Sequence, residues 1–399
     1  MHKCYIVDSK RTPRGIGKES GGLHTVSSLS LLSQTLEATV PYALKPFIED
    51  LITGCVMPVG EQGANIARSA LLRASFPDTV PGMQINRFCS SGLDAIALCA
   101  SKIMAGQQSL NLAAGIESMS RVPMLSDGGA LVADPSIAMQ HNIIPQGISA
   151  DLIATIESYT REQLDQFAVD SHKKALNAIK RNYLKSIIPI YHASGIEALT
   201  NDEVPRNCNS KALSSLQPSF ELIGNMAGYN ALALNQYPEQ SKINHLHHAG
   251  NSSALADGAT ATLLASETAI HQHGLKPRAQ IIAFDQIGTD PTIMLTAPAA
   301  SCKRLLEKCK LHTSDIDLWE INEAFSAVAL KFIQELNLEA SRVNVNGGAI
   351  AYGHPLGATG GMLVGTIVDE LTRRQLKRGV VTLCTAAGMA ASMLIERVE

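Results

Sequence analysis

Four residues in separate contexts carry side chains able to work on a carbonyl: Cys89, Asn322, His354 and Cys384. Cys89 stands in NRFCSSGLDAI, between alternating residues and a helix-like run. If Ser90 or Ser91 starts that helix, Cys89 lies at its N-terminus. Backbone N–H groups there lack intrahelical partners and carry partial positive charge, which favours thiolate, the nucleophilic form of cysteine. Ser90, Ser91 and Gly92 leave the thiol uncrowded. Taken alone, the position still favours a buried core cysteine over a nucleophile.

His354 lies in NGGAIAYGHPLGATG, a loop rich in glycine in which Pro355 fixes the local backbone. A histidine held there either exchanges protons near neutral pH or serves a tight turn. The loop has neither G-x-G-x-x-G nor a lysine after its glycines, so it is no phosphate cradle. Cys384 closes the apolar run VVTLC; strand C-termini in α/β sheets are where reactive groups are found, and core packing is the alternative. Asn322 opens NEAF at a predicted strand-to-helix junction. It either caps that helix, the favoured reading for the residue alone, or polarises a substrate carbonyl. His245, His247 and His248 cluster in HLHHAGNSSALADGA, and in a strand His245 and His247 would share a face. No cysteine or carboxylate spacing accompanies them, so no metal is expected. Asn251, Ser252 and Ser253 form a polar turn able to hydrogen-bond a ligand.

The elements that must position these residues alternate. CYIVD, DLITGCV, MQINR and LNLAAG read as strands, with helices around 27–39, 65–75 and 90–105 between them. The middle, roughly 117–240, is more polar and reads as an elaborated loop region with one amphipathic helix near 160–181, taken as a solvated face. From about 270 the alternation returns: AQIIAFDQIG, a helix at 302–311, DIDLWEIN, a helix near 357–375, GVVTLC and ASMLIERV. Strands alternating with helices predict an α/β fold with a mostly parallel sheet, and the matching order of the two halves suggests a duplicated unit. The expected division is 1–268, containing a loop domain at about 117–248, and 269–399.

The chain has 399 residues, 17% of them charged, and a net charge of −3. The basic residues are scattered, so nucleic acid is excluded as an expected partner. No apolar run is long enough to span a bilayer and the N-terminus has no signal-peptide pattern, so a cytoplasmic location is expected. None of the eight cysteines forms a C-x-x-C pair, and reduced thiols are expected.

Together these contexts resemble the thiolase family (acetyl-CoA acetyltransferase and 3-ketoacyl-CoA thiolase) along essentially the whole chain. The matching stretches are YIVDSKRTPRG, NRFCSSGLDAI, AAGIESMSRVPM, PQGISADLIA, AGNSSALADGA, NEAF, NGGAIAYGHPLGATG and the strand ending in Cys384. The resemblance implies a duplicated five-layer α-β-α-β-α fold with an inserted loop domain over the coenzyme A site. It implies a ping-pong transfer in which Cys89 is acylated, His354 takes its proton and Cys384 exchanges a proton with the second substrate. Asn322 would hold a water that forms one oxyanion hole with His354. The backbone N–H groups of Cys89 and Ala386 would form another, and Ser253 would contact coenzyme A. Coenzyme A is then substrate or product, no cofactor is permanently bound, and a homodimer or homotetramer follows from the family. The chemistry suits these types. A thioester carbonyl calls for a soft nucleophile that also leaves well, and a carbanion beside a carbonyl calls for a base and an enolate stabiliser.

Two departures stand out. The family's C-x-G-G-G is CTAAGM here, so Ala386 would be strained if its position demands positive φ. His248 stands where threonine is more usual. Two alternatives remain at this stage. One is a condensing enzyme acting on carrier-protein thioesters, which the second cysteine and NEAF argue against. The other is a non-catalytic acyl-CoA-binding subunit, supported only by Ala386 and Ala387.

Overall fold

The computed structural model describes residues 2–398, the side chain of Val132 excepted. Its first half supplies β1 (Cys4–Arg11), β2 (Asp50–Gly54), β3 (Gly82–Ile85), β4 (Leu110–Ser118) and β5 (Ala256–Ser266), hydrogen-bonded in the order β3-β2-β4-β5-β1. β2 is parallel to β3 and β4, whereas β4–β5 and β5–β1 are antiparallel. The second half supplies β6 (Ala279–Gly288), β7 (Leu318–Ile321), β8 (Arg378–Thr385) and β9 (Met389–Arg397), in the order β7-β8-β9-β6. There β7–β8 is parallel and the other pairs antiparallel. The two halves agree strand for strand in order and sense. A parallel bridge from Val343 to Trp319 even takes the place of β3. The edges β1 and β6 then pair from Cys4↔Ile281 to Ile6↔Ala279, joining the halves.

Strand periodicity explains the layers. Neighbouring residues of a strand face opposite ways. Leu51 packs outward with Leu31, Leu36 and Leu71 of α1 (Ser28–Thr39) and α2 (Ile66–Arg73). Its neighbour Ile52 packs inward with α3 (Ser91–Met104). In the second half Val381 and Met393 face that same inner layer, and Val380 and Leu394 face away from it. The outer helices there are α6 (Ala297–Cys309) and α7 (Ser326–Glu335), and α8 (Thr359–Arg374) lies beside α3 in the centre. The result is the five-layer α-β-α-β-α arrangement.

The central helices approach so closely that only glycine fits. A Cβ on Gly360 would lie 2.3 Å from the backbone nitrogen of Leu93. Gly360→Ala is therefore expected to destabilise the protein by about 2–3 kcal/mol, because backbone cannot yield as a side chain can. A thermal midpoint within one degree of wild type would refute that packing account.

The middle region holds more helix than its composition signals. Besides α4 (Gln146–Ile156) and α5 (Arg161–Lys180), it contains short helices at Glu221–Met226 and Tyr229–Gln236. α5 begins with a capping box between Thr160 and Gln163. It is not only a solvated face: Asp165, Ser171 and His172 lie on its buried side.

Candidate active site

Cys89 sits at a strained elbow between β3 and α3. Phe88 adopts φ +46°, a left-handed conformation unfavourable for a bulky side chain. The turn is held by Ser91 Oγ, which donates to Phe88 O at 2.6 Å and accepts from Arg87 N at 2.9 Å. Ser90 Oγ donates to Asp94 Oδ2 at 2.7 Å, and Arg87 Nε pairs with the same oxygen at 2.9 Å. Ser90 is the N-cap residue of α3, as the spacing predicts. The stabilisation that a helix terminus gives a thiolate is opposed here. Burial pushes the Cys89 thiol up to about 12, the hydrogen bond from its own backbone N–H opposes this only in part, and nearby Glu117 adds to the rise. Removal from water thus works against the charge of the helix terminus.

His354 lies in the turn before α8, where Gly357 and Gly360 pack against Gly92 and Leu93 at the start of α3. Its Nδ1 lies 2.6 Å from Thr359 Oγ1, whose own hydrogen is given to Pro355 O at 2.9 Å. The hydroxyl must therefore accept, so Nδ1 carries the hydrogen and Nε2 presents a lone pair to the site. The backbone is pinned by His354 N donating to Ala254 O at 2.9 Å. Burial, followed by the field of Arg14, pulls the imidazole down to about 3, so it rests uncharged. Asn322 Nδ2 lies 3.3 Å from His354 Nε2. The capping reading of Asn322 fails: α7 starts four residues later, with Phe325 as N-cap residue and no side-chain cap. Asn322 Oδ1 is buried without a partner among the described residues, so this amide retains hydrogen-bonding capacity.

Cys384 ends β8 on the second sheet. Burial raises its thiol, and Cys89 raises it further, so the two cysteines lie within each other's field. The strain anticipated at Ala386 falls one residue later. Ala386 is absent from the positive-φ residues, whereas Ala387 adopts φ +59°, ψ +31° and Gly388 follows at φ +75°. Left-handed backbone costs a residue with a Cβ about 1–2 kcal/mol. Ala387→Gly relieves that strain but frees the unfolded chain, for an expected net gain of about 0.5–1 kcal/mol. A thermal midpoint raised by about 1–2 °C checks this.

A buried polar network ties these turns together. Glu117 accepts from the backbone N–H groups of Val56, Met57 and Gly357 and from Gln62 Nε2, joining the loop beside Cys89 to the loop of His354. The histidine cluster forms a second buried network. Residues 245–248 are irregular backbone, not strand. Asp151 accepts from His245 Nδ1 at 2.8 Å and from His247 Nδ1 at 2.7 Å, and His247 Nε2 accepts from Ala327 N in the first turn of α7. His248 Nε2 and Asn251 Nδ2 share Asp165 Oδ1 at 2.8 and 2.9 Å. Ser253 is half-buried; its N–H reaches Ala324 O at 2.9 Å, beside the Asn322 turn. Segment 248–253 thus lies along 322–327 and fixes it. A cavity of about 1150 Å³ runs along α5, lined among others by Lys173, Lys174 and Glu323, but Cys89, His354 and Cys384 are not part of its lining.

A duplicated five-layer fold with one cysteine at the elbow before α3, a second on β8 that feels it, and, before α8, a histidine 3.3 Å from an amide fits an acyl-transferring enzyme of the condensing type. The chain belongs to the thiolase family. The family pattern described as "Thiolase, N-terminal domain" matches residues 4–236 and "Thiolase, C-terminal domain" matches 275–397. The chain is 36% identical to a 3-ketoacyl-CoA thiolase of Klebsiella pneumoniae over 419 aligned positions, covering 100% of both chains. It is likewise 36% identical to one of Photorhabdus laumondii over 410 positions, again covering 100% of both. Among solved structures it resembles the dimeric peroxisomal thiolase of Saccharomyces cerevisiae, with TM-score 0.86 and 33% identity over 100% of this chain and 98% of the other. It also resembles the acetyl-CoA acetyltransferase of Bacillus anthracis, with TM-score 0.85 and 32% identity over 100% and 99%.

Proposed function

We propose that the protein is a thiolase that cleaves or forms 3-ketoacyl-CoA through an S-acyl intermediate on Cys89. The observation carrying this reading is that Cys89 and His354 precede the paired central helices α3 and α8, with Cys384 within the field of Cys89 and Asn322 3.3 Å from His354. Cys89 adds to the carbonyl while its proton passes to His354 Nε2. In cleavage the C2–C3 bond breaks, and Cys384 protonates the departing acetyl-CoA carbanion. Cys384 then regains a proton from the thiol of incoming coenzyme A, whose sulfur attacks the acyl-Cys89 carbonyl and releases Cys89 as His354 returns its proton. Carbonyl oxygens that become anionic are met by the backbone N–H groups of Cys89 and Ala386 and by the His354–Asn322 pair. Ser253, at the edge of the Asn322 turn, contacts coenzyme A. No permanently bound cofactor is required by these steps.

Asn322→Ala is expected to lower kcat by roughly 10²-fold, the range for loss of one oxyanion donor. Unchanged kcat would remove Asn322 from the chemistry. The reading as a whole is tested by mixing the protein with acetyl-CoA and seeking an acetyl adduct by intact mass, followed by thiolysis assays on 3-ketoacyl-CoA chains of increasing length.

A cytoplasmic homo-oligomer completes the proposal. No helix among the described residues is long and apolar enough to cross a membrane. The edge strand β3 has one unpaired side and an exposed Met83, which suits pairing with a second copy. Light scattering after size exclusion decides the state.

A further inference from the structure

The RTPRG stretch near the N-terminus places Arg14 behind the catalytic loop, with a buried guanidinium directed at the residues that carry His354. Nη1 donates to Gly353 O at 2.8 Å, and Nε lies 3.2 Å from Met362 Sδ. The guanidinium carbon stands 5.5 Å from the centre of the Tyr352 ring. Arg14 therefore grips both residues preceding His354. Gly353 needs such a grip. It adopts φ +92°, and a Cβ there would approach Ala256 Cβ to 2.7 Å.

The charge is the second observation. Arg14 is only 3% exposed, yet among the described residues no carboxylate forms an ion pair with its guanidinium. The nearby Asp202 is committed elsewhere: its two oxygens accept from Arg11 Nη1 and Nη2 at 2.7 and 2.8 Å, and one of them also takes the backbone N–H of Arg14. A buried cation without a counter-ion is costly and is not explained by packing. Groups that feel Arg14 are Arg11, Asp202, Tyr352, Glu320 and His354. Glu117 lies beneath Gly357, three residues past His354, and also bears on Cys89, which in turn bears on Cys384.

We propose that Arg14 is a positioning residue that fixes the Gly353 turn and, through its unpaired charge, keeps His354 neutral until Cys89 gives up its proton. The imidazolium formed then is a strong acid, which returns that proton to Cys89 when coenzyme A attacks the acyl group. This rests on the reading of His354 as the base for Cys89.

The test compares the rate of Cys89 acetylation by acetyl-CoA from pH 8 to pH 5, by rapid quench and intact mass, as the ratio of variant to wild type. The ratio cancels ionisation shared by both. Arg14→Met and Arg14→Gln remove the charge. His354 then holds its proton at higher pH, and a protonated base cannot accept another. Their ratios should fall between pH 8 and pH 5, by less than about twofold because burial is the larger cause of the low imidazole pKa. Arg14→Lys keeps a charge but loses the fork, so its ratio should be low and independent of pH. A flat ratio in a folded neutral variant shows a merely structural residue and overturns the proposal. So does a Lys variant with the wild-type rate or a ratio that falls with pH, even if neither neutral variant folds. His354→Ala is run alongside: if it acetylates at the wild-type rate, the underlying reading of His354 fails, which is distinguishable from an Arg14 effect that is absent while His354 matters.

Discussion

Cys89→Ala should eliminate the acetyl adduct and lower thiolysis about a thousandfold or more, the loss typical when a covalent nucleophile is removed. The substitution is small and the site is buried, so the elbow should survive; Phe88 φ and the Ser91 bonds do not use the thiol. The reason to expect so large an effect is that no other group can take its place. Cys384 is also buried and protonated, but it stands on the other sheet, at the end of β8, without the α3 N-terminus behind it. Cys89→Ser sharpens the point. A hydroxyl is a poorer nucleophile toward a thioester, and a serine ester leaves less readily than a thioester. Serine should thus acylate slowly and turn over more slowly still. An adduct that forms in Cys89→Ala at the wild-type rate, and maps by peptide mass to another residue, would overturn the assignment.

The fold and its centre were unequally legible in the sequence. Long apolar alternations gave most strands and the helices carrying Cys89 and the turn after His354. β5, Ala256–Ser266, was missed: its residues are small, with Ala and Thr predominating, and all are buried, so no inside–outside alternation marks it. The helices at Gln146–Ile156 and Tyr229–Gln236 were hidden by the polar composition around them. At the centre, motifs located Cys89, His354, Cys384 and Asn322, but not the partners that set their protonation. Thr359 orients His354 from five residues downstream, inside the same loop, and nothing in its type marks it. Arg14 lay in a stretch that could be read as a motif but not as a contact, because Gly353 is 339 positions away. The helix terminus favours a thiolate at Cys89, but the burial that opposes it cannot be read from the local sequence. The position of strain after Cys384 depended on a backbone angle, and it lies at Ala387.

Cys384→Ala should separate the two half-reactions. Acylation needs Cys89, His354 and oxyanion donors, and the coenzyme A thiolate can leave without the proton that Cys384 gives it, so the acetyl adduct should still form, only more slowly. What is lost is the proton shuttle at the α-carbon of the second substrate. Condensation, and exchange of the acetyl-CoA methyl protons with deuterated water, should fall by about 10²–10⁴-fold, the contribution of positioned acid–base catalysis. The high resting position of this thiol sets the direction of the argument. A group that holds its proton strongly is a poor base at rest but becomes a strong one once it has delivered the proton to a carbanion. In cleavage Cys384 therefore acts first as acid, and its thiolate then draws the proton from incoming coenzyme A. In synthesis the order reverses, and the cost of ionising a buried thiol falls on the step that creates the enolate. If Cys384→Ala loses the adduct as completely as Cys89→Ala does, the division of labour between the cysteines is wrong, and Cys384 belongs to the first step as well.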